Sequence, residues 1–367
     1  MRRVSVRLLS SLLLASALTL LPRAATVVRA AGEAAAAVAA PAPRPSPLQD
    51  DASAFWKQAK DYYADGRYAE AAEAYKQYVR LRPDVAEARY WLGNSFYKLK
   101  QYADAAAAYR EAVRLKPDYR EAYVFLANSL DYENRYEEAV SAYRRAIDLR
   151  PDDPEAYFEL GVSHFNHDNF AAAAELYQKA VSLKPDYKGG HRNLGEALYR
   201  QGRTQEAIAE YREGARLEPQ DGKNFRLLGD AYEKLKRHDE AESAYRQALQ
   251  LNAEDSVAHF GLGNVYYNTE RYEAAAASYK EATRYDPNWA TAYGYLGDSY
   301  RLAGKQPDAI VAYKQATRLK ADYADAFYGL GLSYLAVGDR AAAAQAQATL
   351  QRLDADLAAK LLALIQK

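Results

Sequence analysis

Residues 86–119, AEARYWLGNSFYKLKQYADAAAAYREAVRLKPDY, hold two amphipathic segments divided by a short polar break and closed by Pro117 and Asp118. In the first segment Leu92 and Phe96 stand one helical turn apart, and in the second Tyr102, Ala105, Tyr109 and Ala112 recur at intervals of three and four residues. That is the period of a helix with one apolar face. Proline cannot continue the second helix. The stretch therefore reads as a helical hairpin, and it is one of a series: Pro83, Pro117, Pro151, Pro185, Pro219 and Pro287 are separated by 34 residues or a multiple of 34.

Taking repeat starts at residues 52, 86, 120, 154, 188, 222, 256, 290 and 324 carries the register through Leu357 without insertion or deletion, giving nine tandem repeats over 52–357. The twentieth position is Ala in all nine, from Ala71 to Ala343, and the eighth is always Gly or Ala, from Ala59 to Gly331. These small residues are expected to face each other where two helices cross closely. Tyr fills the twenty-fourth position in eight of nine repeats, from Tyr75 to Tyr313, so that large side chains meet small ones. Asp84, Asp118, Asp152, Asp186, Asn288, Asp322 and Asp356 follow the helix-breaking position and are expected to cap the next helix, with Glu87, Glu121 and Glu155 at capping-box spacing behind the first three.

This pattern resembles the tetratricopeptide repeat family: small eighth position, aromatic eleventh, Ala at twenty, aromatic at twenty-four and Pro at thirty-two, over 306 residues. The resemblance implies an all-α, right-handed superhelical solenoid of helix hairpins. Ala253, Ala321 and Ala355 depart from the Pro, and the fifth repeat departs most, with Gly189, Gly190, His191 and Gly214, which makes it the expected soft joint. The ninth repeat has Gln347 in place of Tyr, and Leu357, Leu361, Leu364 and Ile365 then point to a capping helix over 356–367 that covers the last open face.

The N-terminus is of another kind. Arg2, Arg3 and Arg7 precede an apolar run from Leu8 to Leu21 and small residues ending at Ala30, the pattern of an export signal over 1–30. The run is too short to span a bilayer, which needs roughly 18–20 apolar residues. The mature chain is therefore expected to be periplasmic or secreted, without a membrane span. Residues 31–50, Ala- and Pro-rich, read as a semi-extended linker. Loss of the five arginines within 1–30 turns a neutral chain of 49 basic and 49 acidic residues into one of net charge −5, which is no footprint for nucleic acid.

The chain has no cysteine, which removes disulfides, zinc–thiolate sites, iron–sulfur clusters and thiol nucleophiles. No glycine-rich phosphate loop occurs. His164, His167 and Asp168 form a metal-like string, but His164 stands at the core-facing eleventh position and His167 at the hairpin turn. Nine repeats, a cap, a linker and a signal occupy all 367 residues, so the expectation is a non-enzymatic protein without cofactor or metal.

The resemblance places positions two, five, nine, twelve and thirteen of each first helix on a concave binding groove. Those positions supply Trp56, Tyr63, Tyr90, Asn94, Tyr97 and Asn128 at one end, Arg192 and Arg226 in the middle, and Asn264 and Tyr267 beyond. Aromatic rings with carboxamides suit an extended protein or peptide segment, and a polysaccharide chain is the alternative. The family's clamp for a C-terminal dicarboxylate is not assembled, because Tyr90 and Val124 stand where its lysine belongs.

Overall fold

The structure, a computed structural model, describes residues 47–367, with side chains from residue 51 onward. The expected export signal and the linker up to residue 46 lie outside the described residues. Among the described residues there are nineteen helices and no strand. The first four repeats pair α1 (Pro47–Ala64) with α2 (Tyr68–Leu81), α3 (Ala86–Lys98) with α4 (Tyr102–Leu115), α5 (Arg120–Tyr132) with α6 (Tyr136–Leu149), and α7 (Pro154–Asn166) with α8 (Phe170–Leu183). The fifth to seventh pair α9 (Gly190–Arg200) with α10 (Thr204–Leu217), α11 (Gly222–Lys234) with α12 (His238–Leu251), and α13 (Ser256–Asn268) with α14 (Tyr272–Tyr285). The last two pair α15 (Ala290–Leu302) with α16 (Gln306–Leu319) and α17 (Ala324–Ala336) with α18 (Arg340–Leu353), and α19 (Ala355–Ile365) closes the array. Helix α1 begins within the expected linker, at Pro47, because proline suits a first helical position whose N–H has no partner anyway.

Each helix packs mainly on its neighbours in the chain, the arrangement of a solenoid. First helices of successive repeats also touch, α3 with α5, α5 with α7, α11 with α13 and α15 with α17, whereas successive second helices make no comparable contact. Crowding on one side means that residues 47–367 bend with their first helices on the inside of the curve.

The core is assembled from the repeated small and large positions. All nine alanines at position twenty are wholly buried, and the eight position-twenty-four tyrosines are among the largest buried side chains. Each such ring removes ~150–250 Å² from water, worth ~4–6 kcal/mol before entropy is subtracted. The eighth position does not simply face the twentieth, because the tyrosine ring stands against it: a Cβ added to Gly93 would lie 2.6 Å from Tyr109, and one on Gly263 2.6 Å from Tyr279. Room for a ring is what makes the position small. In the ninth repeat, which lacks the tyrosine, Leu361 of α19 fills the space beside Gly331. Leu361 and Ala358 are buried and Leu357 and Ile365 pack beside them, whereas Leu364 turns outward, contrary to the sequence reading.

The turns correct the expected capping residues. The asparagine or aspartate after the proline does not cap the next helix; the cap lies one residue later, or three residues later before α9, because the chain needs further non-helical backbone before it winds. Asp153, Asp221 and Asp255 fill that position and accept from the N–H groups of Glu155, Lys223 and Val257. Val85 and Tyr119 stand there in the second and third repeats and give no side-chain cap, and Asp354 rather than Asp356 caps α19. Within each hairpin the fifteenth position is left-handed throughout, glycine in four repeats and Lys100, Asn134, Asp168, Lys236 or Glu270 in the others. One such residue reverses the chain; for a side-chain-bearing residue it costs ~1–2 kcal/mol.

The fifth repeat is better pinned than its glycines imply. Gly189 turns the chain at φ 72°, and its N–H donates to Glu218 at 2.7 Å. Gly190 lets Val181 approach to where a Cβ would be 2.7 Å away, and His191 is held between Glu210 (2.7 Å) and the Pro185 carbonyl (3.0 Å). Gly214 makes room for Asn224, which replaces the alanine of other repeats. The thinnest packing between consecutive repeats is instead at α6–α7.

Candidate functional site

Two couplings govern the side chains of the inner face. The first joins position five to position thirty-four of the same repeat. Tyr90 lies 5.0 Å from Tyr119 and Phe158 4.9 Å from Tyr187, centroid to centroid, and Phe260 stacks on Trp289 at 4.4 Å. In the fifth and sixth repeats the same places hold opposite charges: Arg192 donates to Asp221, and Arg226 reaches Asp255 at 3.6 Å and Asp230 at 3.2 Å. Either chemistry closes the joint. Trp56 packs on Tyr75 and Tyr78, Tyr63 on Tyr68 and Trp91, and Tyr267 on Tyr272 and Tyr295.

The second coupling joins position nine to the buried tyrosine. The Tyr109 hydroxyl donates to Asn94 Oδ1 at 2.7 Å, that of Tyr279 to Asn264 Oδ1 at 2.7 Å, and that of Tyr143 to Asn128 Oδ1. Asp230 and Asp298 serve Tyr245 and Tyr313 in the same way, each at 2.7 Å. A hydroxyl taken from water needs such an acceptor. Where position nine is Lys60 or Glu196, the hydroxyls of Tyr75 and Tyr211 are buried without a partner. The asparagines singled out in the sequence thus spend one carbonyl oxygen each on the core, and Asn94 is only 6% exposed.

Of the ten residues expected on the groove, Tyr97 and Asn128 come together at a cavity of about 320 Å³ between the third and fourth repeats. Its other walls include Asp131 and Tyr132 of α5, Tyr143 of α6, and Glu159, Val162 and Asn166 of α7. Trp56, Tyr63, Tyr90 and Asn94 lie in earlier repeats and Asn264 and Tyr267 in a later one, outside this cavity. Arg226 borders a separate hollow of about 410 Å³ with Lys223, where Asp221 and Asp255 offset the positive charge. Asp131, Tyr132 and Glu159 escaped the sequence reading, although Asp131 occupies a position that is aromatic in most other repeats and Glu159 one that holds Trp91, Phe125 and Tyr295 elsewhere.

Burial raises the pKa of Asp131, opposed by Ser163 and by His167, whose Nδ1 is 3.9 Å away. Burial also raises Glu159, and the charges of Glu155 and Asp131 push it further. His164 Nδ1 accepts from the Tyr136 hydroxyl at 2.7 Å, and burial lowers its pKa; His167 Nδ1 donates to the Ser163 carbonyl at 2.9 Å. The two histidines of the metal-like string are thus held by separate partners. Among the described residues no helix is long and apolar enough to cross a membrane.

Sequence comparison matches the family described as tetratricopeptide repeat over residues 57–120, 126–188, 192–258, 226–288 and 260–313, and the TPR repeat over 297–338. No curated protein matches the chain. Similar solved structures include a tetratricopeptide repeat protein from Parabacteroides merdae, 17% identical over 68% of this chain and 99% of that one, with a TM-score of 0.50. Pseudomonas aeruginosa PilF is 22% identical over 56% of this chain and 94% of its own (TM-score 0.49). MamA from Desulfovibrio magneticus is 23% identical over 47% and 97% (TM-score 0.45). Helix hairpins in an unbroken 34-residue register, a tyrosine set against a small residue in eight of them, and family matches over most of 57–338 lead to one conclusion: this chain belongs to the tetratricopeptide repeat family.

Proposed function

We propose that the protein is a non-catalytic scaffold that binds an extended segment of a partner protein along the inner face of its first four repeats. Repeat scaffolds of this family serve protein–protein interaction in general. The finer reading rests on one observation, the cavity where Tyr97 and Asn128 meet, which lies on the concave side and beside the ring of Tyr132, 60% exposed. The arginines of the fifth and sixth repeats carry their own carboxylates and offer less to a ligand. Binding would order a segment that is flexible when free, which fits a curved surface better than a compact partner.

A photo-crosslinking residue in place of Tyr132, compared with one in place of Val311, which is 68% exposed on the second helix α16, tests this reading. Adducts at Tyr132 and none at Val311 are expected; equal labelling of the two, or none, would sink it. A glycan segment is the second reading, favoured by the open Tyr132 ring, since sugars stack on flat aromatic faces; tyrosine fluorescence titrated with polysaccharide separates it from the first. The exported address is also proposed, on the Arg2, Arg3, Arg7 and Leu8–Leu21 pattern, and N-terminal sequencing of the protein from its native cell envelope checks it.

A further inference from the structure

The cavity between the third and fourth repeats is walled by carboxylates at two repeat positions where several other repeats pack a ring. At position twelve, Tyr63, Tyr97 and Tyr267 each lay a ring against the tyrosine that opens the next helix, at 5.2, 5.5 and 5.8 Å; the third repeat has Asp131. At position six, Phe125 and Tyr295 stack on the buried tyrosine of the preceding repeat, at 5.9 and 5.7 Å; the fourth repeat has Glu159, which lines the cavity with Tyr143. Carboxylates thus stand at two positions that hold packed rings in several other repeats, at the junction where α6 and α7 pack most thinly.

Among the described residues no lysine or arginine pairs with Asp131 or Glu159, and Arg120 of the same α5 is already held by Asp153 and Glu155. His167 stands 3.9 Å from Asp131 but gives its Nδ1 proton to a backbone carbonyl. Asp131 Oδ1 is fully buried, and what opposes that burial is the neutral Ser163 hydroxyl and the His167 ring, not a lysine or arginine. Partial burial without a cationic partner disfavours a charged carboxylate, and that cost is returned when a cation arrives with good geometry. The remaining walls suit such a cation, since Tyr97 and Tyr132, the latter stacked by one face on Tyr102 at 4.2 Å, bring aromatic rings that attract positive charge. A volume of about 320 Å³ falls at the small end of ligand pockets, the size for one long side chain rather than a folded ligand.

We propose that this cavity receives one lysine or arginine side chain of the partner segment, Asp131 and Glu159 taking its charge while Tyr97 and Tyr132 line its stem. The assignment rests on the inner-face reading above and adds the chemistry of its anchor. The test selects from a displayed library of random twelve-residue peptides on the full-length protein, then titrates an enriched peptide and its norleucine analogue by calorimetry. A basic residue fixed at one peptide position is expected, with the norleucine analogue bound about tenfold more weakly or worse. The lysine-to-norleucine ratio should collapse towards one in Asp131→Asn/Glu159→Gln, whose fold is checked by circular dichroism. Tyr132→Ala, at an exposed ring, gives an independent arm and should also narrow the ratio. Peptides that bind without a basic residue, or a ratio unchanged in the variants, would overturn the anchor while leaving the inner-face reading standing. Failure to enrich any peptide, together with no crosslink at Tyr132, would remove both.

Discussion

Asn94 and Tyr211 mark the two ends of a range set by one hydrogen bond. Asn94 satisfies the Tyr109 hydroxyl, so Asn94→Ala leaves a buried donor without an acceptor and should lower stability by about 1–2 kcal/mol. The Tyr211 hydroxyl is already orphaned, so Tyr211→Phe should be neutral or stabilising, while Tyr109→Phe should cost about 0.5–1.5 kcal/mol. Urea titration of the three variants checks the contrast, and equal losses in all of them would refute it. The cavity carboxylates belong to the same scale. Their folded pKa values are raised, so the stability tied to their protonation is present at low pH and lost as pH rises through the raised values. Asp131→Asn/Glu159→Gln should therefore melt higher than the wild type at pH 7, with the gap closing towards pH ~4. A gap independent of pH would assign the effect to packing.

Helix α9 and its neighbours show how an element can look weak in sequence and be held in structure. Glycines were readable as loss of order, but what closes around them is not local: Glu218 comes from 29 residues away, and Asn224 occupies the space that Gly214 leaves. That exchange is uneven, because Asn224 is 0% exposed with neither its Oδ1 nor its Nδ2 bonded. Gly214→Ala alone places a Cβ 2.7 Å from Asn224 Oδ1 and should destabilise by about 1–3 kcal/mol. Gly214→Ala with Asn224→Ala restores the pair found in most other repeats and should exceed the wild type by about 1–2 kcal/mol. A thermal melt of the single and double variants measures the reversal. The helices and their register were legible because an apolar period repeated nine times leaves little freedom. The left-handed fifteenth position was not, since Lys100, Lys236 and Glu270 carry no sign of the conformation that the turn imposes on them. Nor was the candidate anchor, since Asp131 and Glu159 come from different repeats and take their meaning from the thin junction that brings them to one cavity.

For residues 47–367 as a whole, stability passes between neighbours, and the end depends on its cover. Leu361 substitutes for the tyrosine that the ninth repeat lacks, so Leu361→Ala should cost about 2–5 kcal/mol, felt in α17 and α18 and not in α1 to α4. Hydrogen exchange resolved by segment reads this directly; a uniform loss along the array would contradict nearest-neighbour coupling.

The pairing of position five with position thirty-four carries a consequence for how such a chain changes in length. Both partners, Tyr90 with Tyr119 or Arg192 with Asp221, travel inside one unit, as do Asn94 and Tyr109. A recombination event that copies or deletes 34 codons at a unit boundary therefore delivers each bonded pair complete. The sixth position, which meets the tyrosine of the unit before, is where the new neighbours must be matched afresh, and Glu159 occupies such a seam.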